Sequence, residues 1–147
     1  MALYDKILVP MDGSENAFEA LKMAIELQKL CQAELFILSV YREHRLWNAS
    51  VSMVNQKLTG STDDAMEQYA KDVAENSKAY AREQGVETVR SFYMGGGPSR
   101  MILKFTKDHD IDLIVLGSRG ISDSEKYLLG SVSHKVTSLA ECPVLVV

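Results

Sequence analysis

Two segments of the sequence carry residue types that can hold an anion. One is Gly117-Ser118-Arg119-Gly120, followed further on by Gly130-Ser131-Val132-Ser133. Gly117 and Gly120 let the backbone turn sharply and approach a ligand closely. Gly130 and Ser131 fall where a helix is expected to begin, so N–H groups without intrahelical partners point outward there. Such helix starts, with glycine nearby, bind phosphate readily. The hydroxyls of Ser118, Ser131 and Ser133 add donors, and Arg119 adds positive charge. The pattern is neither GxxxxGK[ST] nor GxGxxG. The other segment is Val9-Pro10-Met11-Asp12-Gly13-Ser14. Its Asp12 suits either of two tasks: capping the helix that follows, or facing a ligand and its metal ion. Glycine after a strand and serine at a helix start also serve plain connections. Residue types alone therefore leave phosphate binding and simple turns both open.

The elements that must position these segments alternate between two periods. Ile7 to Met11 is a short apolar run stopped by Asp12-Gly13-Ser14, the pattern of a strand buried on both faces. Ala17, Ala20, Leu21, Ala24, Leu27 and Cys31 then recur at helical spacing, with Ser14 placed to cap that helix and Glu15 suited to its positive end. Leu35 to Val40 is a second strand. Tyr41 to Thr62 lacks periodicity, and a stretch of that length without structure tends to be functional or disordered. A helix is expected from Asp63 to Gln84, with Met66, Tyr69, Ala70, Val73, Ser77 and Tyr80 on one face and Gly85 closing it. A more polar third strand over Glu87 to Tyr93 suits a sheet edge. Pro98, after three glycines, starts a third helix. Leu113 to Leu116 is a fourth strand, a short helix carries Val132, Val136 and Leu139, and Pro143 to Val147 is a last strand. This alternation predicts an α/β fold, doubly wound, with a parallel sheet and helices on both faces. In such sheets ligands bind beyond the carboxyl ends of the strands where strand order reverses, which is where both marked segments lie.

Composition removes several classes. With 147 residues the chain suits one domain, 1–147, able to bury a core without disulfide or metal support. The 16 Lys and Arg against 20 Asp and Glu leave a net charge of −4, which speaks against a nucleic-acid partner. Cys31, Cys142 and three scattered histidines do not make a zinc set. The apolar runs are far shorter than the roughly 20 residues that cross a membrane. Residues 1–10 already read as strand, so no leader is expected, and the anticipated location is cytoplasmic.

The spacing Gly117-x2-Gly120-x9-Gly130-Ser131 resembles the nucleotide-binding pattern of the universal stress protein (UspA) family. Ile7 to Ser14, Asp112 to Gly120, Leu128 to Ser133 and Cys142 to Val147 are similar to that family's blocks, in the same order, over essentially the whole chain. The resemblance implies a five-stranded parallel sheet in the order 3-2-1-4-5 and a homodimer joined through the last strand, Val144 to Val147. It implies a bound adenine nucleotide, ATP or else ADP or AMP, with Mg²⁺. Carried over by position, Pro10 and Asp12 lie beside the adenosine, and the backbone of Ser39, Val40 and Tyr41 meets the adenine edge. Gly117, Arg119, Gly120, Gly130, Ser131, Val132 and Ser133 surround the phosphates, and Asp12 is the residue placed to meet the metal. One departure stands out. Where many ATP-binding relatives carry small or basic residues, this chain has Ile121-Ser122-Asp123-Ser124-Glu125-Lys126. Asp123 and Glu125 would repel a triphosphate if they faced it without Mg²⁺ between. Facing solvent, their effect is screened over about 10 Å.

The role this implies is regulatory: an adenine nucleotide-binding factor of the stress response. No convincing general base accompanies the glycine pattern, since His134 is expected on a helix surface. The first turn also lacks the SGGxDS-type loop of adenylating enzymes. A slow ATPase is one alternative. Another is a dimeric interaction module that works without nucleotide, using the Arg42 to Trp47 region as a surface.

Overall fold

Strand β1, Lys6–Pro10, runs through the middle of the molecule with Ile7, Leu8 and Val9 fully buried. Successive side chains of a strand point to opposite faces, and the two faces of this one enter different cores. The computed structural model describes residues 3–42, 56–120 and 129–147. Its elements follow in chain order: β1, α1 (Glu15–Cys31), β2 (Glu34–Tyr41), α2 (Gln56–Glu83), β3 (Val89–Gly95), α3 (Pro98–Asp108), β4 (Leu113–Leu116), α4 (Ser131–Leu139) and β5 (Val144–Val146). The five strands form one sheet in the order β3-β2-β1-β4-β5, every neighbouring pair parallel. Leu8 sits opposite Phe36 of β2 on one side and Ile114 of β4 on the other.

Ile7, Val9, Leu35, Ile37, Leu113 and Val115 share the face covered by Ala17, Ala20, Leu21 and Ala24 of α1 and Ala81 of α2. Leu8, Phe36, Leu38, Ile114 and Leu116 share the other, under Ile102 and Phe105 of α3 and Val136 of α4. Two covered faces explain why the central strands read as unbroken apolar runs. The edges read differently. On β3, Arg90 and Tyr93 are exposed, and Arg90 lies over the rings of Phe36 and Phe92. On β5, Leu145 is exposed.

Some boundaries move. Helix α2 begins at Gln56 rather than near Asp63, because Gly60, Ser61 and Thr62, weak helix formers, hide its first turns. Strand β3 runs two residues further than expected, to Gly95. Ala70, Ala74, Ser77 and Ala81 form the buried stripe of α2, whereas Tyr69, expected inward, is half exposed. Both cysteines are unpaired, and burial pushes the Cys142 thiol pKa up, which favours its protonated form. No helix among the described residues is long and apolar enough to cross a membrane.

Sheet order reverses between β1 and β4. Helices leaving these two strands go to opposite faces, so a crevice opens between their carboxyl ends.

Candidate functional site

The wall after β1 is built around a tight turn. The Met11 N–H donates to Leu38 O at 2.8 Å, fastening the strand end to β2. Asp12 Oδ1 accepts the Ser14 N–H at 2.9 Å. Gly13 has φ +87°, so the backbone asks for glycine, and a Cβ there would also displace the Tyr69 hydroxyl. Ser14 Oγ then accepts the Ala17 N–H at 3.1 Å. Ser14 is therefore the cap of α1, and Asp12 braces the turn beside it.

The wall after β4 is a second turn, tied to the start of α4. Ser118 O accepts the Gly130 N–H and the Ser133 hydroxyl, each at 2.6 Å. The Ser118 hydroxyl donates to the Asn16 side chain at 3.3 Å. The hydroxyls of Ser118 and Ser133, read from sequence as donors for a ligand, thus hold the turn itself together. Ser131 is exposed.

Helix starts differ in how they are closed. Gly130 is the N-cap of α4 and Gly97 that of α3, and neither start has a side-chain cap hydrogen bond or an acidic residue in its first turn. Pro98 occupies the first turn of α3, as expected. N–H groups left this way, at the positive end of a helix, favour an anion.

These parts meet around one cleft of about 210 Å³. Of the site residues read from sequence, Pro10, Asp12, Val40, Gly117, Arg119, Gly120, Ser131, Val132 and Ser133 line it. Gly130 stands just behind, as the cap of α4. Ser39 is buried beneath and does not reach the lining. Met11, Ala17, Leu38, Arg42, Pro98, Ile102 and Leu116 also line the cleft. Their sequence signals were weak: three glycines before Pro98, and one arginine just past β2. Arg42 and Arg119 bring two positive charges against the one carboxylate of Asp12. Asp123, Glu125 and Trp47 lie outside the described residues, as do the rest of 43–55 and 121–128.

Among the described residues no three His, Cys, Asp or Glu side chains gather as a metal site. Mg²⁺ is commonly held by one or two carboxylates together with substrate phosphates. Asp12, in the lining, fits that limited part. His134 is exposed on α4 and is not in the lining.

The universal stress protein family model matches residues 3–147. The chain is 40% identical over 148 residues to universal stress protein YxiE of Bacillus subtilis, covering 99% of both chains. The solved structure of the universal stress protein UspA from Lactobacillus plantarum superposes with a TM-score of 0.87 at 28% identity, over 100% of this chain and 99% of that one. A universal stress protein solved in complex with cAMP has the same fold, with a TM-score of 0.74 at 21% identity, over 99% and 98% of the two chains. The sheet order, the glycine pattern around the cleft and these likenesses lead to one conclusion: the chain belongs to the universal stress protein family.

Proposed function

We propose that this chain, working as one unit over residues 1–147, binds an adenine nucleotide in the cleft between β1 and β4 and acts as a regulatory factor in the stress response. The observation that carries this reading is convergence. The starts of α3 and α4, both without side-chain caps, and the arginines Arg42 and Arg119 face one cleft at the reversal of strand order. Such a place favours a phosphorylated ligand over a neutral or cationic one. The apolar lining of Val40, Ile102 and Val132 suits a flat base. The structure solved with cAMP speaks at 21% identity for the fold, and its ligand indicates that this fold can hold an adenine nucleotide.

In this reading Pro10 and Asp12 flank the adenosine, and the backbone at Val40 meets the adenine edge, with Ser39 buried behind it. Gly117, Arg119, Gly120, Gly130, Ser131, Val132 and Ser133 surround the phosphates, with Ser133 contributing its backbone because its hydroxyl is turned to Ser118. Asp12 would hold Mg²⁺ together with the phosphates of ATP. Occupancy stabilises the states that hold the ligand, and a partner can read that shift. The edge strand β5, with Leu145 exposed, favours a homodimer through Val144 to Val147.

Mass spectrometry of the small molecule released on denaturing freshly purified protein tests the proposal, with Gly130→Trp as control. An adenine nucleotide is expected from the wild type and not from the variant. Calorimetry with millimolar Mg-ATP completes the test. No heat of binding there, together with an empty protein, would overturn the nucleotide reading and favour the dimeric interaction module. Phosphate release from the same sample reports any slow hydrolysis.

A further inference from the structure

One side chain outside the predicted site bonds both to the turn after β4 and to the residue that follows β5. Asn16 stands in the first turn of α1, two residues past the Ser14 cap. Its Oδ1 accepts the Arg119 backbone N–H at 2.8 Å and the Ser118 hydroxyl at 3.3 Å. Its Nδ2 donates to Val147 O at 3.1 Å. The partners fix which end of the amide is which, because a backbone N–H only donates and a carbonyl only accepts. Val147 O also accepts the Ser118 N–H at 3.0 Å, and the Val147 N–H donates to Leu116 O at 2.9 Å. The contact is close as well as polar. A Cβ on Gly117 would lie 2.7 Å from Asn16 Oδ1 and 3.1 Å from the Asn16 backbone carbon. The first turn of α1 is thus pressed against the turn after β4.

We propose that Asn16 is the positioning residue of the Gly117–Gly120 turn, and that its single amide couples this turn to the end of the edge strand β5. The turn has glycine at both ends, so its own torsions hold it loosely. Asn16 supplies the anchor that keeps the Arg119 peptide in one orientation before any ligand arrives. A pre-set turn spares the ligand the cost of ordering it. The same amide grips Val147, so a displacement of the turn on ligand entry is felt at the end of β5. Coupling of this kind is reciprocal: whatever covers the β5 edge alters the affinity of the cleft by the same factor. The ligand half of this inference rests on the adenine nucleotide reading, and the structural half does not.

The experiment compares Mg-ATP with adenosine on Asn16→Ala, by calorimetry, and follows backbone amide exchange at Arg119 and Val147 by NMR. ATP is expected to bind about tenfold more weakly, the effect of one lost hydrogen bond. Adenosine, lacking phosphates, stays within about twofold, and the Arg119 amide exchanges about tenfold faster. Equal losses for ATP and adenosine, or an unchanged Arg119 amide, would overturn the proposal. Asn16→Asp separates the two halves of the clamp. It keeps an acceptor for the Arg119 N–H and removes the donor to Val147, so Arg119 stays protected while Val147 exchanges faster. Equal loss of protection at both overturns the coupling. This second variant also decides the matter if Asn16→Ala does not fold. If wild type binds neither ATP nor adenosine, the nucleotide reading fails, and amide exchange in the two variants still decides the role of Asn16.

Discussion

Helices α1 and α4 begin beside each other at the ends of neighbouring strands, yet their first turns are finished in opposite ways. Helix α1 has Ser14 bonded to the Ala17 N–H and an acidic residue, Glu15, over its positive end. Helix α4 has a bare glycine cap and no acid in its first turn, and α3 repeats that pattern with Gly97. Replacing a serine cap by glycine costs only a few tenths of a kcal/mol, and leaving out the acid forgoes about 0.3–1 kcal/mol. The open starts therefore sacrifice little stability. What they keep is first-turn N–H groups without a side-chain cap, at helix starts whose residues Pro98, Ser131, Val132 and Ser133 line the cleft. The pair thus sets a helix start that closes itself with a side chain and an acid against starts that stay open beside the cleft.

The sharpest way to break this contrast is to close α4. Ser131 is exposed and occupies the first turn, so Ser131→Glu places a carboxylate on the positive end of the helix. That charge is expected to stabilise the protein by about 0.3–1 kcal/mol, raising the melting midpoint by roughly 1–3 °C. The same charge stands where phosphate is proposed to sit, and at a few ångströms it opposes a triphosphate by about 2 kcal/mol or more, roughly thirtyfold in affinity. Calorimetry with Mg-ATP and a thermal melt check the two signs together, with Ser131→Gln as the neutral control. Affinity and melting midpoint moving in the same direction would mean that the two starts do not differ in kind.

The two starts are joined through Gly117, where Asn16 of α1 meets the turn that leads to α4. Gly117→Ala puts a methyl 2.7 Å from Asn16 Oδ1 and 3.1 Å from its backbone carbon. The backbone atom cannot swing aside, so the turn must shift. Overpacking of this sort costs about 1–2 kcal/mol, or roughly 2–8 °C in the melting midpoint. Gly97 offers the matching control, since a Cβ there meets nothing within 4 Å. A thermal melt of Gly117→Ala beside Gly97→Ser, which keeps a residue favoured at a helix N-cap, is expected to show the loss in the first alone.

What sequence could and could not reveal follows the same division. The strands were legible because two buried faces leave an unbroken apolar run at β1, β2 and β4. The cap at Ser14 and the proline of α3 were legible because each answers a local backbone need. The start of α2 was not, since Gly60, Ser61 and Thr62 are weak helix formers and read locally as loop. Around the cleft, glycine spacing marked the turn after β4 and the start of α4. Arg42 and Ile102 reach the same cleft only through the sheet order and the placement of α3, and nothing local announces that. Ser133 shows a subtler limit. A serine in a first helical turn can send its hydroxyl outward or back, and here it goes back to Ser118 O. Asn16 shows the extreme case, because its partners lie more than a hundred residues away in the chain.

The smallest expected effect sharpens the contrast from the closed side. Ser14→Ala removes the cap bond to Ala17 and leaves the rest of the turn in place, because Asp12 Oδ1 accepts the Ser14 backbone N–H and needs no hydroxyl. The cost is about 1 kcal/mol, some 2–4 °C in the melting midpoint for a chain of this size. Ser14 is not in the lining of the cleft, so Mg-ATP affinity is expected to stay within about twofold. Asn16 ties the two regions, which makes this a strict test. If fraying of α1 spread through Asn16 to the Arg119 peptide, affinity would fall with stability. Stability falling alone shows that the first turn of α1 stays in register without its cap, held by the buried Ala17 and the Asn16 contacts.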